Sequence, residues 1–198
     1  MGIRVLPQQE YDRVQSIVDN ALQMDNIRQY TITFDRNRNL LRGYRGSNVT
    51  LAIPWGVTVI DNNSGLQEKG LTSLTIPSSV IVIGDSAFRN NRLTSVIIPD
   101  SVTSIGGSAF NNNLLTSVFI GDGVTSIGGW AFASDGSITS VTIGANILIN
   151  DDPFVDARPN AFLGDYSGFA DAYNKGGKRA GTYTRTNGSK NWNYSPRR

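Results

Sequence analysis

Apolar positions along this chain recur as one phrase. From residue 71 it reads LTSLTIPSSVIVIGDSAFRNNR, then LTSVIIPDSVTSIGGSAFNNNL, then LTSVFIGDGVTSIGGWAFASDGS, two copies of 22 residues and one of 23. Leu71, Leu93 and Leu115 open the copies, and each is followed by an apolar pair two residues apart: Leu74 and Ile76, Val96 and Ile98, Val118 and Ile120. That spacing puts both members of a pair on one face of a short strand. Pro77, Pro99 and Gly121 stop the strand, because Pro cannot donate to a ladder and Gly frees the turn. A second apolar segment follows (Val80 and Ile83, Val102 and Ile105, Val124 and Ile127), then a Gly, then an Ala-Phe pair at 87–88, 109–110 and 131–132. A fixed period in the twenties predicts a solenoid, in which each coil buries its apolar side only against the next. The Phe residues are expected to stack as its spine, and the Asn residues at 90–91 and 111–113 to occupy the return turns, where Asn tolerates left-handed backbone.

The flanks carry weaker copies and different patterns. Leu51, Ile53, Pro54, Val57 and Ile60 fit the phrase, with Leu66 in the Phe position, and GLQEKG (65–70) is expected to bulge from the coil. Downstream, Ile138, Val141 and Ile143 repeat the strand, and Ala161-Phe162 closes a longer loop containing Asp151, Asp152 and Asp156, read as a solvated loop. Before the array, Tyr11, Val14, Ile17, Val18, Ala21 and Leu22 predict an amphipathic helix over 7–24, and YTITF, DRNRN and the apolar return at 40–44 predict a hairpin. After it, Phe169 and Tyr173 fit a short helix ended by Gly176-Gly177. Asn187-Gly188 then predicts a two-residue hairpin loop with Tyr183 opposite Trp192 and Arg185 opposite Lys190. The domains expected are an N-terminal cap (1–47), five coils (48–70, 71–92, 93–114, 115–137, 138–164) and a basic, aromatic C-terminal cap (165–198), all one folding unit.

The phrase LTSVxIPxxVTSIGxxAFxxN resembles the BspA-like, or treponemal, class of bacterial leucine-rich repeat. The closing segment FADAYNKGGKRAGTY also resembles the terminal module of treponemal proteins of this class. Asn stands where the class commonly has Cys after the Phe, so no Cys column forms. The resemblance implies a mainly β, α/β-type right-handed array of about five coils with a parallel sheet on one face. It also implies an exported or surface protein of bacteria, in the periplasm or on the cell surface, concerned with attachment to host or matrix components.

Composition narrows the chemistry. The chain has neither His nor Cys, so Ser-His-Asp and Cys-His arrangements, imidazole or thiolate metal sites and disulfides cannot be built from it. DRNRN lacks the Gly and the terminal Glu of a calcium loop, and Gly176-Gly177-Lys178 lacks the leading Gly of a phosphate loop. No enzyme, cofactor or metal is expected. No apolar run is long enough to span a membrane, and the opening MGIRVLP shows no secretory leader; a chain whose leader has been removed and a cytoplasmic protein both stay open. Charge is uneven: residues 49–164 hold four Lys and Arg against nine acids, and residues 165–198 hold seven against two. The tail is read as a seal over the last coil, with nucleic acid not expected; a ligand role for its basic and aromatic residues is the other reading.

What is left is surface. The residue between the two buried ones of each strand points outward, giving the column Ala52, Thr75, Ile97, Phe119 and Thr142, with Thr50, Ser73, Ser95, Ser117 and Ser140 beside it. Ile97 and Phe119 become exposed apolar neighbours on a Ser/Thr lawn. The candidate partner-binding residues are therefore Ser73, Thr75, Ser95, Ile97, Ser117, Phe119, Ser140 and Thr142 on the concave strand face, for a protein partner or, alternatively, for a second copy of the chain in an envelope assembly.

Overall fold

The computed structural model describes residues 31–35, 40–45, 49–62, 64–133, 138–149, 169–186, 189 and 191–197. The helix expected over 7–24, the turn DRNRN beyond Asp35, the acidic loop at 151–156 and the Ala161-Phe162 pair lie outside these residues.

Each repeat contributes two strands. The first set is β3 (Thr50–Ala52), β5 (Ser73–Thr75), β7 (Ser95–Ile98), β9 (Ser117–Ile120) and β11 (Ser140–Ile143). The second is β4 (Val59–Ile60), β6 (Val82–Ile83), β8 (Ser104–Ile105), β10 (Ser126–Ile127) and β12 (Leu148–Ile149). The sequence predicts one sheet; the structure has two parallel arrays, because the second apolar segment of every copy is itself a two-residue strand in register with its neighbours. A hairpin of β1 (Thr31–Asp35) and β2 (Leu40–Arg45) enters the second array, with β2 parallel to β4. On the first face the ladder comes in two parts, β3–β5 and β7–β9–β11, with no strand pairing between β5 and β7.

The core between the arrays is a stack of like residues. Phe88, Phe110 and Phe132 are fully buried, with ring centroids 5.1 and 5.3 Å apart in stacked geometry. Burying a Phe side chain is worth about 1.5–3 kcal/mol, so this column and the flanking Leu, Val and Ile columns supply much of the driving force. Leu66 continues the Phe position into the degenerate coil, also fully buried.

The asparagines divide into two roles. Asn90 and Asn112 take left-handed backbone, each with φ 57°, as expected of turn residues. Asn91 and Asn113 do not serve only the turn: they are buried, and their side chains hold adjacent coils together. Asn91 Oδ1 accepts from the amides of Lys69 and Leu71, both at 3.1 Å, while its Nδ2 donates to the carbonyls of Leu66 and Phe88, both at 2.9 Å. Asn113, 22 residues on, accepts from Leu93 N and donates to the carbonyls of Phe88 and Phe110. A carboxamide carries both donors and an acceptor, so one residue satisfies backbone groups of two coils that water cannot reach. Close stacking also fixes a glycine: a Cβ on Gly123 would lie 1.8 Å from the carbonyl oxygen of Asp100.

Beyond the array, α1 (Phe169–Lys175), β13 (Gly181–Thr184) and β14 (Asn193–Pro196) pack against the last coil. β13 runs antiparallel to β11 through Ser140↔Thr184 and Ile143↔Gly181, so β11 keeps a hydrogen-bonded neighbour on that side. Phe169, Tyr173 and Tyr183 are buried; the Phe169 ring stacks on Tyr173 and meets Tyr183 and Trp192 edge-on. The Tyr173 hydroxyl donates to Gly144 O at 2.8 Å and accepts from Ile147 N at 3.0 Å. Burial pushes the Tyr173 and Tyr183 phenols above their ordinary value of 10.0. The hairpin register differs from the two-residue loop expected: Tyr183 pairs with Tyr194, not Trp192. Trp192 instead stands against Phe169, and Arg185 stacks over Trp192 at 4.9 Å while donating to the carbonyls of Ile138 and Ser189; the pairing of β13 with β14 stops at Thr184 and Asn193, short of a two-residue loop. Asn187, Gly188 and Lys190 lie outside the described residues.

A candidate partner-binding face

The strands of the first array alternate as pleated strands must. In β7 and β9 the pattern is exposed, buried, exposed, buried, which sends Val96, Ile98, Val118 and Ile120 inward and Ser95, Ile97, Ser117 and Phe119 outward. Ile97 and Phe119 are paired across neighbouring strands, 69% and 37% exposed. Ser73 and Thr75 on β5 are exposed in the same columns. At the other end Ser140 and Thr142 are only half-exposed, since β13 lies beside them and Thr142 Oγ1 is 3.0 Å from Thr182 Oγ1. The eight expected residues thus stand in two columns across β5, β7, β9 and β11, broken where β5 and β7 do not pair, with the open centre at Ile97 and Phe119.

Hydroxyls beside the columns hold the coils rather than face a ligand. Thr72 Oγ1 donates to Val49 O at 3.1 Å and Thr116 Oγ1 to Thr94 O at 3.2 Å. Between β5 and β7, where the ladder is interrupted, a cavity of about 250 Å³ opens among Ser73, Leu74, Thr75, Ser95 and Ile97. Leu74, the inward residue of β5, is accordingly half-exposed, whereas its equivalents Val96 and Val118 are buried. The face therefore offers a flat apolar pair beside a shallow, hydroxyl-lined recess.

One contact on this face has no counterpart in the sequence pattern. Arg197, just past β14, places its guanidinium 4.8 Å over the Phe119 ring and 2.5 Å from Asp122 Oδ1. Asp122 follows β9 by two residues and its amide is held at 2.9 Å by Asp100 Oδ1, the corresponding acid after β7. The basic excess of the tail was the only available signal, and it names neither the arginine nor its target. Among the described residues, no three His, Cys, Asp or Glu side chains group as metal ligands, and no helix is long and apolar enough to cross a membrane.

The BspA-type leucine-rich repeat region, in six copies, matches residues 44–158. The chain belongs to this family. The match begins at the end of β2 and runs through both parallel arrays, so the BspA-type repeats are the solenoid itself. Among solved structures the chain is similar to a leucine-rich repeat protein from Bacteroides ovatus, at 22% identity and a TM-score of 0.42, over 61% of this chain and 40% of that one. The chain thus spans less than half of that relative's length. No curated protein matches it.

Proposed function

We propose that this BspA-type array is a non-enzymatic protein-binding module of an exported or surface protein of bacteria, attaching to a host or matrix component through the face centred on Ile97 and Phe119. The observation that carries this reading is the exposed, in-register pair of large apolar side chains on a sheet otherwise lined by Ser and Thr. In the same column the neighbouring coils present Thr75 and Thr142 instead. A leucine-rich array suits such work because its repeated strands form a broad, rigid platform whose outward residues vary without disturbing the core. The test is surface plasmon resonance of the intact chain on purified extracellular-matrix glycoproteins, run beside an Ile97→Asp/Phe119→Lys variant and with light scattering of both. Binding by the intact chain that the variant loses supports the reading. Equal binding by both refutes it, and a concentration-dependent dimer abolished by the variant would assign the face to self-assembly instead.

A further inference from the structure

We infer that this face receives an arginine-bearing segment of its partner, and that Arg197 is an intramolecular occupant of the arginine subsite. The inference rests on the partner-binding reading above and adds the chemistry of what is bound. The subsite has two walls: the Phe119 ring, with the Arg197 guanidinium 4.8 Å from its centroid, and Asp122, whose carboxylate pairs with the same guanidinium. A plane of cationic charge that stacks on a ring while donating to a carboxylate is what distinguishes arginine from lysine. Asp100 anchors the main chain of Asp122 by accepting its backbone amide, a contact that does not involve Arg197. The charge of the array agrees: residues 49–164 carry nine acids against four bases, complementary to a basic partner.

Arg197 covers only part of the face. Phe119 is 37% exposed beneath it, while Ile97, one strand away, is 69% exposed. A segment carrying an aliphatic residue for Ile97 and an arginine for Phe119 and Asp122 fits both halves. Such a segment binds by replacing one guanidinium with another, so the chain's own arm competes with the partner. Because the Asp122 side chain is 64% exposed and that of Arg197 28%, their pair is a surface contact of small worth, which a partner's guanidinium can displace.

The test uses the full chain, labelled at Ile methyls and Phe rings for NMR, and the probe peptides acetyl-Ile-Ala-Arg-amide, acetyl-Ile-Ala-Lys-amide and acetyl-Ile-Ala-Glu-amide. The Arg peptide is expected to move the Ile97 and Phe119 signals, the Lys peptide to bind more weakly and the Glu peptide not to bind. Arg197→Ala should tighten the Arg peptide about fivefold by removing a competitor of ordinary cation–π strength, and Asp122→Asn should weaken it. Both variants are at exposed or half-exposed positions, and an unchanged melting midpoint checks that each is folded. Equal affinity of the three peptides, or no tightening in Arg197→Ala, overturns the arginine subsite. The partner-binding reading is judged separately, since it stands if matrix-protein binding is lost in Ile97→Asp/Phe119→Lys and falls if it is not.

Discussion

Replacing Asn91 by Ala removes five hydrogen bonds at once: a long one to Arg89 O at 3.4 Å, and four shorter ones that hold backbone groups of two coils. The amides of Lys69 and Leu71 lose their acceptor, the carbonyl of Leu66 loses its donor, and that of Phe88 keeps only its bond from Asn113, at a site only 5% exposed. A net hydrogen bond is worth about 1 kcal/mol, so the loss should be about 4 kcal/mol, falling toward about 2 kcal/mol where a water takes the carboxamide's place among those four groups. For a chain of this size each kcal/mol moves the melting midpoint by about 2–4 °C, giving a drop of about 4–16 °C in thermal melts, with urea titration as the parallel assay. Asn91→Asp refines the test. Its carboxylate keeps the two amides but turns its second oxygen toward two carbonyls, and burial raises its folded pKa above the ordinary value near 3.9. The sign follows: the protonated acid can donate to a carbonyl, so the variant should lie closest to the parent below about pH 4 and lose ground as pH rises through the raised pKa. Asn90→Gly is the control, as it keeps the left-handed turn and gives up only two exposed bonds, one donated to Glu68 and one accepted from Asn112. A loss under about 1 kcal/mol for Asn91→Ala, or a penalty for Asn91→Asp that does not grow with pH, would refute the inter-coil role of this residue.

Three further outcomes follow from the same packing. Phe110→Ala should cost about 3–5 kcal/mol in urea unfolding, and about 1 kcal/mol more than Phe88→Ala, because Phe110 stacks on a Phe ring at each side. Gly123→Ala should destabilise measurably by differential scanning calorimetry, since its Cβ meets the Asp100 carbonyl and the coil must shift. Stability should hold steady up to the ordinary phenol value of 10.0 and fall above it, because the neutral phenols of Tyr173 and Tyr183 are favoured in the folded chain and their proton is lost there only at higher pH; ultraviolet titration should show two phenols ionising late.

The repeats were legible because one period governs everything in them. A 22-residue phrase fixes which Leu, Val, Ile, Ala and Phe turn inward, and Ile97 and Phe119 fall outward by simple alternation. The second array was less legible, since Val82-Ile83 and Ser104-Ile105 are too short to show a strand period by themselves. Asn91 read as a turn residue because Asn favours turns; that its carboxamide faces inward depends on how the next coil sits, which spacing alone does not state. The C-terminal register went astray for a similar reason. Asn187-Gly188 is a strong local signal, but with Trp192 packed on Phe169 and Arg185 bonded to Ile138 and Ser189, the pairing of β13 with β14 stops at Thr184 and Asn193. Arg197 meets Phe119 only in three dimensions, and one basic residue among seven in the tail gives no hint of it.

The first array sends Ile97 and Phe119 outward, away from the core, with Arg197 overlying part of the Phe119 ring. Urea unfolding of two paired variants measures this directly. Ile97→Asp/Phe119→Lys should shift stability by no more than about 1 kcal/mol, as substitutions at exposed sites do, whereas Ile98→Asp/Ile120→Lys, at positions with no exposure, should unfold the array by placing charges in its core. Outward and inward pairs that prove equally damaging would contradict the account.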